Sequence, residues 1–230
     1  MSGHRTAEEV RQHHLDVLGA DLGALYHALW NELAWLYSKW GEYVELYGTK
    51  PSRIELINKS AGHFFRIIQD SLWEDCLLHI ARLTDPQKSA GKENLTLNRL
   101  PNLIVHDVLK KTVKDLVNIS IEKADFCRDW RNRRIAHKDL GLALSAGVEP
   151  LKPASQAKVK DALSSISDVM NAISRHYMDS TTMYEGLGGS GGNAVSLLYV
   201  LDDGLRAKEE RRMRRKAGDY RKEDYQARDL

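Results

Sequence analysis

Cysteine is nearly absent. Cys76 and Cys127 are the only two among 230 residues, too few for a disulfide framework or a four-ligand zinc site. Both read as reduced core residues of a cytoplasmic protein. Long apolar runs are also missing. Nothing approaches the ~18 residues of a membrane span, and the N-terminus carries no apolar signal stretch, so no membrane partner is expected. Neither sign of charge dominates. The formal net charge is +2, so there is no global basic field, and nucleic-acid binding would have to come from local clusters. No segment repeats at a fixed period, and no convincing period-two strand occurs. No carboxylate pair or His-Glu helix pairing recurs at ligand spacing, so no metal and no cofactor is expected. A Gly-x-Ser-x-Gly element is lacking. The glycine-rich run at 186–193 has no strand before it and no Gly-Lys-Ser/Thr, so it reads as a connector rather than a phosphate loop.

What is present is helix. At 42% hydrophobic and 29% charged the composition is that of an ordinary globular protein, long enough to bury a core without staples. Thr6 and Glu9 have capping-box spacing, which predicts a helix start. Gly19 and Gly23 predict a break. Tyr26, Trp30, Leu33, Tyr37, Trp40, Val44 and Tyr47 then step by four and three along one stripe, and Leu29, Leu36 and Tyr43 add a second. A base-stacking platform is one reading of these aromatics; buried core or a helix–helix interface is the stronger one. After Gly48 to Pro51, Ser52 and Glu55 repeat the capping spacing. A long helix follows, with Ile57, Phe64, Ile68, Cys76, Ile80 and Leu83 on one face, and Asp85-Pro86 ends it. A polar loop at 87–93, a short helix ended by Pro101, and further helices through Val113, Ile119 and Cys127 lead to a highly charged stretch. Ser155 opens another helix, and a last one runs over 194–216. Among the histidines, His13 and His14 are adjacent and read as exposed. His27, His63, His79, His106 and His176 read as core-edge or surface residues.

The charged stretch, residues 128–140, carries Arg128, Arg131, Asn132, Arg133, Arg134, His137 and Asp139 around Trp130, Ile135 and Ala136. Arginine forks bind phosphate oxygens in pairs, and histidine moves protons near neutral pH. A salt-bridged surface helix end is the competing reading. Spacing adds a constraint. Six residues apart, Arg131 and His137 stand ~120° from a shared face of a straight α-helix. They cooperate within one chain only if the helix bends or ends between them. Otherwise the site is shared across a two-fold axis.

Arg131-Asn132 followed by Ala136-His137 resembles the signature of the HEPN superfamily, an arginine and a polar residue with a histidine four to six intervening residues later. Leu78 to Pro86, with Arg82-Leu83-Thr84-Asp85, and the Asn94-Leu95 restart are similar to the abortive-infection, phage-resistance branch of that superfamily. The resemblance covers roughly residues 20 to 205. It implies an all-α, up-and-down helical bundle of the HEPN type with additional N- and C-terminal helices. The expected division is a helical domain at 1–186, the connector at 187–193 and a C-terminal helix with a basic tail at 194–230. The resemblance further implies a metal-independent endoribonuclease acting as a homodimer, possible roles as a toxin or phage-defence effector, and an antitoxin or regulatory partner. Arg131, Asn132 and His137 would be catalytic: His137 as general base or acid, Arg131 on the crowded phosphorane, Asn132 orienting the phosphate or the imidazole. Arg128, Arg134, Asp139 and Arg82 would contact substrate, RNA whose 2′-hydroxyl is the nucleophile. Arg82 has three open roles: capping its helix end, facing the cleft or pairing with Asp85. In the last helix Arg211, Arg212, Arg214 and Arg215 form the one strong basic block, either a contact for nucleic-acid phosphates or a solvated helix end. The alternative function is a non-catalytic helical module that binds nucleic acid, a nucleotide or a protein.

Overall fold

A computed structural model describes residues 6–145, 147–186 and 191–225. Among these the fold is all-α, and sheet is limited to one hairpin of two-residue strands. Most of the connector expected at 187–193 lies outside the described residues. Two compact units emerge. One combines Met1–Gly41 with Ser71–Gly188, and the other Glu42–Asp70 with Gly189–Leu230.

The first unit opens with α1 (Ala7–Leu18), started by the expected capping box. Thr6 Oγ1 accepts the Glu9 N–H at 3.2 Å and Glu9 Oε2 accepts the Thr6 N–H at 2.7 Å. Gly19 ends α1 with φ of 83°. Gly23 does not break anything. It lies buried inside α2 (Ala20–Tyr47), where an added Cβ would come 2.5 Å from the His14 carbonyl oxygen. Its missing side chain lets α1 fold back onto α2. That close approach also buries His14, contrary to the exposure expected of it: the ring stands edge-on to Tyr26, with Nδ1 3.1 Å from His27 Nδ1. Within α2, Tyr26, Leu29, Leu33 and Leu36 are almost fully buried, so the aromatic stripe is core. α5 (Asp107–Lys123) packs on α8 (Gln156–Met178). Tyr37 of α2 reaches Ser167 of α8 through a 2.8 Å hydroxyl–hydroxyl hydrogen bond. Cys76 and Cys127 are buried here, and burial pushes both thiols up, Cys76 to about 12. Such thiols are inert core atoms.

α3 (Pro51–Leu83) belongs to both units. It begins on Pro51 itself, so Ser52 and Glu55 sit inside the helix rather than at its cap. In the second unit it kinks at Ala61, where φ is −156° and ψ is 62°. The kink shifts the phase of the apolar face: Phe65 is 4% exposed, whereas Phe64, expected inside, is 56% exposed. Tyr47 donates to the Phe65 carbonyl at 2.8 Å. The same unit holds α9 (Ala194–Lys216), whose first turn is capped by Asn193 and by Glu42 Oε2 accepting the Ala194 N–H.

Two connections differ from the sequence reading. Residues 87–93 are not a plain loop. β1 (Lys88–Ser89) pairs with β2 (Lys92–Glu93), turned by Ala90 and Gly91 at φ of 48° and 77°. Two successive positive φ values are what a tight two-residue hairpin requires. Pro101 does not end a helix either. It sits in the first turn of α4 (Leu100–Leu103), where its missing N–H is not needed.

Candidate active site

The site is built on the C-terminal corner of α3. A helix end leaves carbonyls without partners, and here side chains from the motif residues fill them. Thr96 Oγ1 donates to the Leu83 and Asp85 carbonyls at 3.0 and 2.7 Å. Asn98 Nδ2 donates to the Asp85 carbonyl at 2.8 Å. Arg128 Nη2 donates to the Thr84 carbonyl at 3.2 Å. Thr84 is itself buried and turns its hydroxyl back to Ile80. This corner holds the Asp85 carboxylate still, and the carboxylate receives Arg131: Nη1 lies 2.5 Å from both oxygens. The two stretches that carry the resemblance, 46 residues apart in sequence, are thus joined directly.

The charged stretch then divides by face. α6 (Asp125–Trp130) runs into a π-turn over Arg131–Ile135, with the Ala136 N–H bonded to the Arg131 carbonyl at 2.8 Å. Widened turns of this kind recur at functional sites. Arg128 and Arg131, three apart, face the α3 corner. Asp129, Trp130 and Arg133 face the other way and hold the segment before α8. Asp129 accepts the Lys152 N–H at 2.8 Å, Trp130 Nε1 donates to the Lys152 carbonyl at 2.9 Å, and Arg133 donates to the Glu149 carbonyl at 2.5 Å. Arg134 meets Glu74 at 3.0 Å and lies 5.3 Å over the Trp130 ring. Asp139 caps α7 (Leu140–Ala143) by accepting the Leu142 N–H at 2.9 Å.

Two expected catalytic residues stay open to solvent. Asn132 is exposed and accepts Arg131 Nε at 3.0 Å. His137 is exposed, and among the described residues its side chain makes no hydrogen bond or ion pair. The helix ends at Ile135, two residues before it. That end meets the condition for Arg131 and His137 to act within one chain, although among the described residues no hydrogen bond joins their side chains. Arg131 has committed Nε and Nη1 and retains Nη2. A groove of about 700 Å³ is lined by Ala136, Lys138, Arg133, Arg134, Asp139 and Leu142, and neither His137 nor Arg131 is among its lining residues.

Arg82 does not pair with Asp85, which Arg131 holds. It lies 3.7 Å from Glu32 instead, and with Asp85 it lines a cleft of about 290 Å³. The basic block on α9 is partly neutralised. Arg212 forks onto Glu209 at 2.8 Å, Arg214 onto Asp224 at 3.0 and 3.1 Å, and Arg215 donates to the Asp224 carbonyl at 2.7 Å. Arg211 has no ion-pair partner among the described residues and lines a groove with Arg214 and Arg221.

One group of polar side chains escaped the sequence reading. His79 is buried, 2% exposed, between Lys39 and Glu32. Burial and the Lys39 charge push its pKa below the ordinary histidine range. Lys39 and His79 are 40 residues apart on different helices, and nothing in the local pattern marks them.

An all-α fold whose RN…AH element docks on an Arg-Leu-Thr-Asp helix end defines a protein of the HEPN type. The AbiU2 family of HEPN proteins matches residues 19–195, and the chain belongs to that abortive-infection-associated family. No curated protein and no solved structure matches it. Among the described residues no helix is long and apolar enough to cross a membrane.

Proposed function

We propose that the protein is a metal-independent endoribonuclease, a toxin or phage-defence effector that works as a homodimer in the cytoplasm. One observation carries this reading. Every arginine of the 128–134 stretch is held by a partner, while His137 beside them is left exposed and unengaged. A stretch serving only to knit the surface has no need of a bare histidine next to fixed guanidinium groups. Cleavage without a metal needs a proton-transfer group and a cation for the phosphorane oxygens. His137 supplies the first, and the uncommitted Nη2 of Arg131 supplies the second. Asn132, already bonded to Arg131, orients the phosphate, while Arg128, Arg134, Asp139 and Arg82 line its surroundings. The products are a 2′,3′-cyclic phosphate and a 5′-hydroxyl.

The dimer enters this reading because the resemblance implies it, while the helix end between Arg131 and His137 equally allows the two to act within one chain. A two-fold axis beside the π-turn brings the Arg131 of one protomer to the His137 of its partner. A histidine this open also calls for restraint by an antitoxin or other regulatory protein. At the far end of α9, Arg211 and its neighbours offer a second contact for RNA phosphates.

Purified protein incubated with mixed RNAs in excess EDTA tests the reading. Cleavage by the wild type that is lost in His137→Ala supports it, and a pure dimer that cleaves no RNA contradicts it. The second reading is a non-catalytic helical module that binds nucleic acid, a nucleotide or a protein. It is favoured by the Arg131–Asp85 pair, which serves equally well as a structural clamp. Under that reading His137→Ala leaves binding unchanged and no cleavage is seen.

A further inference from the structure

The ribonuclease reading leaves one proton unassigned. Attack by the 2′-hydroxyl needs a base and departure of the 5′-oxygen needs an acid, yet His137 is one group. The cleft beside Asp85 supplies another. Its walls include Glu32, His79, Arg82, Asp85, Glu93 and Asn94. Since Asp85 is the residue that receives Arg131, the cleft adjoins the guanidinium assigned to the transition state.

A chain of polar groups reaches this cleft through the buried His79 ring, starting from Asp75, which is 48% exposed. Asp75 pairs with the Lys39 ammonium. Lys39 Nζ lies 3.1 Å from His79 Nδ1. An ammonium has only protons to give, so Nδ1 must accept. In a neutral imidazole the proton then sits on Nε2, a buried nitrogen that makes no hydrogen bond and lies 2.8 Å from Glu32 Oε2 as a close polar contact. The His79 side chain is 3% exposed and Glu32 is 39% exposed. The far end of the chain is thus a carboxylate at the cleft surface, backed by a ring whose tautomer is fixed. A base set against a fixed neighbouring group is an arrangement that proton-transfer sites use. Arg82 Nη2 stands 3.7 Å from the same Glu32 oxygen, where it can hold a phosphate next to that oxygen.

We propose that Glu32 is the general base of RNA cleavage, with His79 as the positioning residue that Lys39 and Asp75 fix in place. The assignment rests on the ribonuclease reading and divides its two proton transfers. Glu32 takes the proton of the 2′-hydroxyl. The 2′-oxygen bonds to phosphorus, the bond from phosphorus to the 5′-oxygen breaks, and the leaving oxygen takes a proton from His137 as imidazolium. The proton balance closes when Glu32 returns its proton to solvent and His137 regains one.

The test is steady-state cleavage of a short RNA in EDTA across about pH 4 to 9. Wild type, Glu32→Gln and His79→Gln are compared, with the unfolding midpoint of each. Glu32→Gln is expected to lower kcat about 100-fold or more, with KM changed by less than about threefold, and to lose the rise of rate through the acidic limb. His79→Gln is expected to lower kcat about tenfold and to keep that limb. A folded Glu32→Gln protein within about threefold of the wild-type rate, or with the limb retained, overturns the assignment and leaves the ribonuclease reading standing. Wild-type protein that cleaves nothing overturns both. Should Glu32→Gln not fold, Glu32→Asp carries the test, because it keeps the acid and shortens its reach. A drop in kcat of about tenfold at wild-type stability supports the assignment, and an unchanged kcat overturns it.

Discussion

Arg131 Nη1 lies 2.5 Å from both carboxylate oxygens of Asp85, with side chains 22% and 14% exposed. This contact ties the end of α3 to the π-turn. Removing the carboxylate leaves a half-buried guanidinium without its main partner. Asp85→Ala is therefore expected to cost about 1–3 kcal/mol, toward the lower end because both groups keep some solvent. Urea unfolding measures it. No change in stability would mean that the corner is held by Thr96, Asn98 and Arg128 without the ion pair.

If the site is shared between protomers, two dead variants should revive each other. Arg131→Ala and His137→Ala are each expected to be inactive as pure dimers. Unfolded and refolded together, they form mixed dimers with one intact site. Half of all dimers are then mixed, so about a quarter of wild-type activity is expected by the symmetry of the pairing. No recovery on mixing would place both side chains of each site within one chain.

Gly23 sets propensity against packing. In an exposed helix Gly→Ala stabilises by about 0.8–1.0 kcal/mol. At position 23 the new Cβ would stand 2.5 Å from the His14 carbonyl oxygen and 2.8 Å from Leu15 Cα. Backbone cannot yield as a side chain tip can, so α1 must shift. Gly23→Ala is expected to destabilise by about 1–3 kcal/mol, read from chemical denaturation. A stabilised variant would show that α1 moves freely.

His79 links stability to acid. Its folded-state pKa is held below the ordinary value of 6.5 by burial and then by the Lys39 charge. Below that value the unfolded chain binds a proton that the folded one resists, so unfolding is favoured as pH falls. The contribution is present at neutral pH and is lost progressively below about 6.5. His79→Gln is expected to flatten the fall in stability between neutral and mildly acidic pH. An unchanged slope would assign the acid sensitivity to other groups.

Much of the fold was legible in the sequence, because apolar spacing and helix caps are local. Thr6 with Glu9, the core stripe of α2, the C-terminal end of α3 and the bounds of α9 all follow from neighbours within a few residues. The misreadings arise where the chain bends or folds back on itself, even over short separations. Gly23 looks like a helix breaker until α1 lies against it. Phe64 and Phe65 exchange roles because Ala61 leaves helical angles, and no residue there announces a kink. The Ala90-Gly91 turn is too short to carry a strand period on either side. At the site, the motif residues were legible but their partners were not. Asp85 was visible as a helix end and as one candidate partner of Arg82, and its capture by Arg131 instead depends on how α3 and α6 meet. Lys39, His79 and Glu32 come from two helices, so their alignment is a product of packing.

The most direct measurement concerns the ends that cleavage produces. A defined RNA with a single preferred cut, and the same RNA with one 2′-deoxy residue at that cut, are incubated with the protein in EDTA and the fragments are weighed by mass spectrometry. The account requires a 2′,3′-cyclic phosphate and a 5′-hydroxyl from the first RNA and no cut at the deoxy position in the second. Equal cutting of both, or 3′-hydroxyl ends, would contradict it.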